Sequence, residues 1–136
     1  MNCYDHLFNI NKHICHDSKV RTENTIVFKI IEKAINNAKK TNNFSEILNN
    51  AMYVAALIKL YQPFMDGNHR TALITFGNIL NEKGYDFDYV KALDDMNNGK
   101  LNIPTIYEES DIVTFPSEWS EYISNPNVDK KGRKIS

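Results

Sequence analysis

The most unusual stretch of the sequence is residues 61–73, YQPFMDGNHRTAL, which places polar and conformationally special residues between two apolar, helix-patterned runs. Pro63 is expected to end the preceding helix, because proline lacks an amide hydrogen and disfavours helical geometry in the residue before it. Asp66, Gly67 and Asn68 are typical of turns, and a new helix is expected to begin directly after them. The first turn of that helix would point amide hydrogens and the positive end of its dipole back towards the loop.

This arrangement could bind phosphate and a divalent cation. Arg70 lies in the first turn of the expected helix and adds a fixed positive charge with a forked set of donors. Together with the amide groups and the helix dipole it would form a phosphate-binding pocket, and Asp66 could hold a cation that bridges the phosphates. The residues alone also allow a plainer interpretation, in which the turn only joins two helices and Arg70 forms a surface ion pair.

These residues resemble the signature of the Fic/Doc family, whose core motif reads H-x-F-x-[DE]-[AG]-N-[GK]-R. The positions that match in register are Pro63, Phe64, Asp66, Gly67, Asn68 and Arg70. The motif is followed by Thr71-Ala72-Leu73, which is similar to the Doc branch of the family. A long apolar segment before the motif and an amphipathic one after it are compatible with the same family.

The resemblance also implies an activity and its ligands. Fic proteins transfer AMP, and Doc proteins a phosphate, from ATP to a hydroxyl group of a target protein. In this scheme Asp66 would hold Mg²⁺. The residues that would bind the phosphates are Gly67, Asn68, His69 and Arg70, and those that would anchor the loop are Pro63 and Phe64. The implied partners are ATP with Mg²⁺, a target protein and, if the chain is the toxin of a toxin–antitoxin pair, an antitoxin or inhibitor protein.

Gln62 stands where the family has the histidine that acts as general base. Histidine suits that role because its pKa lies near the working pH. The amide of glutamine can orient a hydroxyl but has no accessible basic form, and loss of a general base costs about 10²- to 10⁴-fold in rate. Three explanations stay open: an engineered replacement of histidine, a natural member that binds without turnover, or a different base.

His69 is the candidate for a different base, although its place beside the expected phosphate site favours an electrostatic role. It occupies the position that is glycine in most Fic proteins and lysine in Doc. Leu73 stands where adenylylating Fic proteins usually have an arginine that holds the terminal phosphate. The resemblance therefore leaves protein adenylyltransferase and protein kinase activity both open, with catalysis by positioning and charge neutralisation. Without turnover, the chain would be a pseudoenzyme that binds a nucleotide or a partner.

Members of the family carry a flap upstream of the motif that docks the target in extended form. Counting back places it at Lys39, Lys40, Thr41, Asn42, Asn43 and Phe44, the polar break between two predicted helices. A plain interhelical loop is the alternative. The inhibitory helix of the family reads roughly [ST]-x-x-x-E-[GN]; Thr105–Ser110 and Ser117–Tyr122 match only its first and fifth positions, and we interpret both as chance matches.

The elements that must position the motif are predicted to be helices. Apolar residues recur every three or four positions over 24–40, 44–61 and 68 to about 83, which is typical of amphipathic helices. The second segment is apolar on nearly all sides from Tyr53 onwards, as expected of a central buried helix. Gly84 supplies the stop for the third.

The rest of the chain has weaker patterns. Shorter helices are predicted over 88–96 and 117–123, with Trp119 as the anchor of the second. We therefore expect an all-α fold of the Fic/Doc type, a single-domain bundle over residues 1–125 that could include a short β-hairpin flap. Residues 126–136 are expected to be a polar, basic tail without fixed structure.

Composition limits the remaining possibilities. The 136 residues carry a net charge of −1 and are 42% hydrophobic, which is ordinary for a globular domain and gives no basic field for nucleic acid. The longest apolar run, Tyr53–Ile58, is too short to span a bilayer, and the first residues do not read as a secretory signal. Two cysteines are too few for a disulfide framework, so a cytoplasmic location is the expectation.

One cluster near the start of the chain contains five residues of types that bind zinc. They are Cys3, His6, His13, Cys15 and His16. Their spacing matches no common zinc module, which usually contains a closely spaced pair of cysteines. Ordinary surface and core roles are therefore the favoured interpretation.

Overall fold

The computed structural model describes residues 7, 9–12 and 25–125, and helices make up most of this part of the chain. The elements are, in order, α1 (Thr25–Lys40), α2 (Phe44–Tyr61), α3 (Asn68–Glu82), β1 (Asp86–Phe87), α4 (Tyr89–Asn97), a 3₁₀ helix (Ser117–Tyr122) and β2 (Ile123–Ser124). Residues 9–12 are also helical. The all-α fold class predicted from the sequence is confirmed.

Helix α2 is the centre of the bundle. It packs most extensively against α3 and then against α1. The residues over 54–58 are all at most 1% exposed, which confirms the prediction of a helix buried on nearly all sides. Its start is fixed by Asn43, whose side chain accepts a hydrogen bond from the amide of Glu46 at 3.2 Å. Such a cap satisfies one of the amide groups that a helix start leaves without a partner.

The two short strands pair residues that are far apart in the sequence. Strand β1 pairs with β2 in an antiparallel register, with Asp86 opposite Ser124 and Phe87 opposite Ile123. Phe87 packs closely on α3, because a Cβ atom added at Gly77 would lie 2.9 Å from the Phe87 ring. Glycine at this position therefore allows the strand to approach the helix.

The two C-terminal helices follow local signals. Helix α4 begins one residue later than predicted, because Asp88 is its N-cap and accepts a hydrogen bond from the amide of Lys91 at 3.1 Å. The segment 117–122 forms a 3₁₀ helix. Trp119 is fully buried within it, and its ring lies 5.5 Å from that of Phe76. This burial agrees with the predicted role of Trp119 as the anchor of the segment.

The strand pairing does not occur at the place expected for a flap. Residues 39–44 comprise the end of α1, a three-residue connection and the first residue of α2, without a strand. Of the two alternatives, a flap and a plain interhelical loop, the structure shows the loop. Docking of a target by these residues stays a prediction. The expected tail over 126–136 and the cluster of cysteines and histidines over residues 3–16 lie outside the described residues. Within the described ranges, no helix combines the length and the apolarity needed to cross a bilayer.

Candidate functional site

The loop between α2 and α3 begins with a residue in an unusual backbone conformation. Gln62 is the C-cap of α2 with φ 43° and ψ 63°, and its amide donates to the carbonyl of Ile58 at 2.9 Å. It is the only residue other than glycine with positive φ in the part of the chain that the structure describes. A residue with a side chain held in this region costs about 1–2 kcal/mol, and such strain is concentrated at functional sites.

The side chain of Asn68 links the start of α3 to the loop before it. The amide group of Asn68 donates to the carbonyl of Phe64 at 2.8 Å and accepts from the amide of Phe64 at 3.0 Å. Asn68 is only 9% exposed, and Phe64 is fully buried against Phe28. The predicted anchor role of Phe64 therefore agrees with its burial. The predicted phosphate ligand Asn68 has a structural role as well, which leaves one of its amide hydrogens for a ligand.

Helix α3 starts at a glycine. Gly67 is its N-cap with φ 74° and ψ 18°, and glycine has no side chain that could accept a hydrogen bond from the first turn. The amide of Gly67 donates to Oδ1 of its neighbour Asp66 at 2.8 Å. The carbonyl of Gly67 accepts the first helical hydrogen bond, from the amide of Thr71 at 2.8 Å. The first turn therefore keeps the partial positive charge that favours an anion.

A cleft of about 460 Å³ lies at this helix start. Its lining residues are Asp66, Gly67, Asn68, His69 and Arg70 from the motif, Leu93, Met96 and Asn97 from α4, and Asn102. The structure thus brings together all the residues predicted for phosphate and metal binding. The wall contributed by α4 and Asn102 was not found by sequence reasoning, because no motif links these residues to the loop.

The charged side chains of the cleft differ in sign and in how far they are exposed. Asp66 and His69 are exposed, whereas Arg70 is half-buried. Burial raises the pKa of Tyr89 at the start of α4, and the positive charge of Arg70 offsets part of that rise. The guanidinium of Arg70 is therefore close enough to Tyr89 for an electrostatic effect on its hydroxyl. In the described residues no three side chains of the metal-binding types cluster, so a cation at Asp66 would take its other ligands from a nucleotide and water.

Two positions that distinguish this chain from the family pattern lie away from the cleft lining. Leu73 is fully buried in the helical core, so this position offers no group that could contact a phosphate. Gln62 is half-buried at the end of α2 and is not among the residues that line the cleft.

The residues predicted for a flap are not part of this cleft either. Among the described residues, none of those over 39–44 lines it. Lys39 forms an ion pair of 3.5 Å with Glu82, and Thr41 accepts a hydrogen bond from Asn50 at 3.2 Å. These contacts connect α1, α2 and α3 at the end of the bundle where α3 finishes.

A buried residue from the start of the chain reaches the motif loop. Asn11 is fully buried, and its Nδ2 donates to the carbonyl of Asp66 at 2.7 Å and to Oγ1 of Thr71 at 3.2 Å. Within the described part of the chain its Oδ1 has no hydrogen-bond partner. Sequence reasoning missed this residue, because an asparagine 55 residues before its partner gives no local signal.

The irregular segment over 105–110 contacts the end of α2 next to the motif. The hydroxyl of Tyr61 donates to Oε1 of Glu109 at 2.7 Å, and the hydroxyl of Tyr53 donates to the carbonyl of Glu109 at 2.5 Å. Burial and the bond to Glu109 raise the pKa of Tyr61 to about 12. Glu109 therefore acts as a brace for the last turns of α2.

Comparison with protein-family models, with curated proteins and with solved structures finds no match to this chain. The Fic/Doc resemblance therefore rests on the motif residues themselves. What the geometry adds is independent of any relative: a helix start with a glycine N-cap, a carboxylate and a guanidinium at one cleft.

Proposed function

We propose that this chain binds Mg²⁺-ATP in the cleft at the start of α3 and is a Fic/Doc-like transferase whose activity is impaired by Gln62. The observation that carries the proposal is the start of α3 at a glycine N-cap, in a cleft that also contains Asp66 and Arg70. Amide groups at a helix start, the helix dipole and a guanidinium are the usual ligands of phosphate.

The size and the lining of the cleft support a nucleotide. A volume of about 460 Å³ lies within the range of about 300–1,000 Å³ that small-molecule sites occupy. At the α4 side, Leu93 and Met96 offer apolar surface for a base, and Asn97 and Asn102 offer amide groups for polar contacts. The phosphates would lie at the other side, near the helix start and Arg70.

The donor set also fits Mg²⁺. This ion is usually held by one or two carboxylates, the phosphates of the substrate and water, and Asp66 is an exposed carboxylate in the cleft. When bound, Mg²⁺ would neutralise charge on the phosphates. Asp66 would hold the cation, and the Asp66 carboxylate is itself oriented by the amide of Gly67.

Transfer requires a proton acceptor that Gln62 does not supply. The oxygen of a target hydroxyl would attack either the α-phosphorus, which releases pyrophosphate, or the γ-phosphorus, which releases ADP, and the hydroxyl proton must go to a base. Because an amide cannot accept it, we expect a rate about 10²- to 10⁴-fold below that of a form with histidine. Leucine in the core at position 73 leaves no clamp for the terminal phosphate, so transfer of phosphate is proposed beside transfer of AMP.

The test compares the chain with its Gln62→His variant. Both are incubated with Mg²⁺, a cell lysate as the source of targets, and ATP labelled at the α or the γ phosphate. We expect label on protein from the histidine form only, with α label identifying AMP transfer and γ label phosphate transfer. Gln62→Asn is the matched control, since it changes the side chain without adding a base. Asp66→Ala in the histidine background should abolish the label.

The alternative function is a pseudoenzyme that binds a nucleotide or a partner without turnover, favoured by the glutamine itself. Calorimetric titration with Mg²⁺-ATP separates the two: binding without label from either form supports the pseudoenzyme. Absence of both binding and label contradicts the nucleotide proposal. A toxin of the Doc kind would in addition arrest growth when the Gln62→His form is expressed, and co-expression of an antitoxin would relieve that arrest.

A further inference from the structure

We propose that Asn11 is a positioning residue for the motif loop, which fixes the orientation of the peptide group between Asp66 and Gly67 and thereby prepares the cleft for a phosphate. The inference deepens the proposed function and rests on it for the ligand. Its structural part, the control of the Gly67 amide by Asn11, can be tested without any ligand.

The contacts of Asn11 join two parts of the site. Its Nδ2 donates to the carbonyl oxygen of Asp66 at 2.7 Å and to Oγ1 of Thr71 at 3.2 Å. Asp66 precedes the helix start, and Thr71 lies within the first turn of α3. One side chain therefore fixes the loop relative to the helix that follows it.

The first of these bonds controls the direction of an amide group. The carbonyl of Asp66 and the N–H of Gly67 belong to one planar trans peptide group, so they point in opposite directions. When Asn11 holds the carbonyl, the N–H must point away from Asn11. Because Gly67 has φ 74° and glycine tolerates many backbone conformations, the local sequence alone does not fix this orientation.

The orientation of this peptide also affects the carboxylate in the cleft. The amide of Gly67 donates to Oδ1 of Asp66 at 2.8 Å, so a rotated peptide would release that oxygen. The second bond of Asn11, to Thr71, prevents the loop from sliding along the helix start, where the Thr71 amide is bonded to the Gly67 carbonyl at 2.8 Å. Asn11 thus influences the amide and the carboxylate without contacting the ligand.

The burial of Asn11 indicates a role beyond filling the core. The residue is fully buried, yet within the described ranges its Oδ1 has no partner. A buried polar atom without a hydrogen bond destabilises a fold. Fold stability alone therefore does not favour an asparagine here, whereas its two donated bonds to the loop explain it.

The test uses variants that remove the donated bonds with little change of volume. Asn11→Asp has nearly the same shape but lacks the amide donor, and Thr71→Val removes only the second bond. Asn9→Ala is the matched control, because Asn9 belongs to the same helical residues but is exposed. Each variant is examined by the amide resonance of Gly67 in a ¹⁵N NMR spectrum, by the Kd for Mg²⁺-ATP in calorimetry, and by thermal unfolding.

We expect Asn11→Asp to shift the Gly67 resonance clearly and to raise the Kd for Mg²⁺-ATP at least about tenfold, the loss typical when one hydrogen bond to a charged group is misplaced. Thr71→Val should raise it about threefold, and Asn9→Ala should change neither quantity. A residue with a merely structural role would lower the unfolding temperature while the folded protein kept its Gly67 resonance and its affinity.

Three results decide the matter. An unchanged Gly67 resonance in folded Asn11→Asp protein overturns the proposal, and if that variant does not fold, an unchanged resonance and Kd in Thr71→Val overturn it. A shifted resonance with an unchanged Kd overturns the link to the ligand. If the unsubstituted chain binds no Mg²⁺-ATP but the resonance shifts, positioning by Asn11 is supported and it is the nucleotide proposal that fails.

Discussion

Two short connections join the three long helices, and they differ in how the start of the following helix is capped. Residues 41–43 lead from α1 to α2, where the side chain of Asn43 caps the new helix by accepting from the amide of Glu46. Glu46 also places a negative charge in the first turn. Both features stabilise a helix start and leave little capacity for a ligand.

The connection over residues 62–67 has the opposite character. It begins and ends in the left-handed region, with Gln62 at φ 43° and Gly67 at φ 74°. The N-cap of α3 is Gly67, which has no side chain, and Asn68, the first residue of α3, binds the backbone of Phe64. The comparison shows that an asparagine at the N-cap closes the start of α2, whereas the start of α3 at the cleft has a glycine in that position.

The largest expected effect on stability comes from replacing an asparagine at each of the two helix starts, Asn68 and Asn43, by alanine. Asn68→Ala removes two hydrogen bonds to the backbone of Phe64 in a buried place, and each such bond contributes about 0.5–1.5 kcal/mol. We expect a loss of about 2 kcal/mol in the free energy of unfolding. Asn43→Ala removes only a helix cap and should cost about 1 kcal/mol. Urea denaturation of both variants measures the two values.

Equal losses in the two variants would contradict the comparison, because they would mean that the two bonds of Asn68 to Phe64 stabilise the fold no more than the ordinary cap at Asn43. The variants should also differ in Mg²⁺-ATP binding, if the chain binds it. Asn43→Ala should retain the affinity, since the connection over 41–43 does not line the cleft, and it serves as the control for general loss of stability.

The sequence predicted most reliably what local signals determine. The bounds of α2, Phe44–Tyr61, were predicted as the structure has them, because the apolar periodicity begins at Phe44 and Pro63 ends the helix through short-range chemistry. The residues that could bind phosphate were also predicted to lie together, since all are within one turn and the start of one helix.

What the sequence could not predict depends on distant contacts. Asn11 lies 55 residues before Asp66, and nothing in its neighbours indicates the loop as its partner. The cleft wall of Leu93 and Met96 requires the docking of α4, which the sequence does not specify. The strands β1 and β2 have two residues each, too few for an alternating pattern to appear.

The second test changes the strained residue at the start of the loop. Gln62→Gly should relieve about 1–2 kcal/mol of backbone strain and lose part of that gain, about 0.4–1 kcal/mol, through the freer unfolded chain. We therefore expect a net gain of about 0.5–1 kcal/mol in the free energy of unfolding. Asn98→Gly is the matched control, because Asn98 caps α4 with φ −92° and has no such strain to relieve.

A stabilised Gln62→Gly protein would sharpen the comparison, because it would show that the motif loop is held in a conformation that is not best for stability, as functional sites often are. A gain of the same size in Asn98→Gly would instead assign the effect to glycine at any helix end. Loss of stability in Gln62→Gly would mean that contacts of the glutamine side chain outweigh the backbone strain.

The smallest expected effect is the response of the end of α2 to alkaline pH. Burial and the bond to Glu109 raise the pKa of Tyr61 from 10.0 to about 12. Because the folded state favours the neutral hydroxyl, this stabilisation is fully present below pH 10 and is lost as the pH rises from 10 to about 12. Solvent near the side chain keeps the contribution small.

The measurement is denaturation at several pH values between 9 and 12 for the chain and for Tyr61→Phe. We expect the free energy of unfolding of the variant to fall less steeply over this interval, because phenylalanine has neither the bond to Glu109 nor a proton to lose. Tyr107→Phe, in the neighbouring segment and 85% exposed, removes a tyrosine without removing that bond. If Tyr61→Phe and Tyr107→Phe flatten the curve equally, the bond between Tyr61 and Glu109 does not stabilise the end of α2.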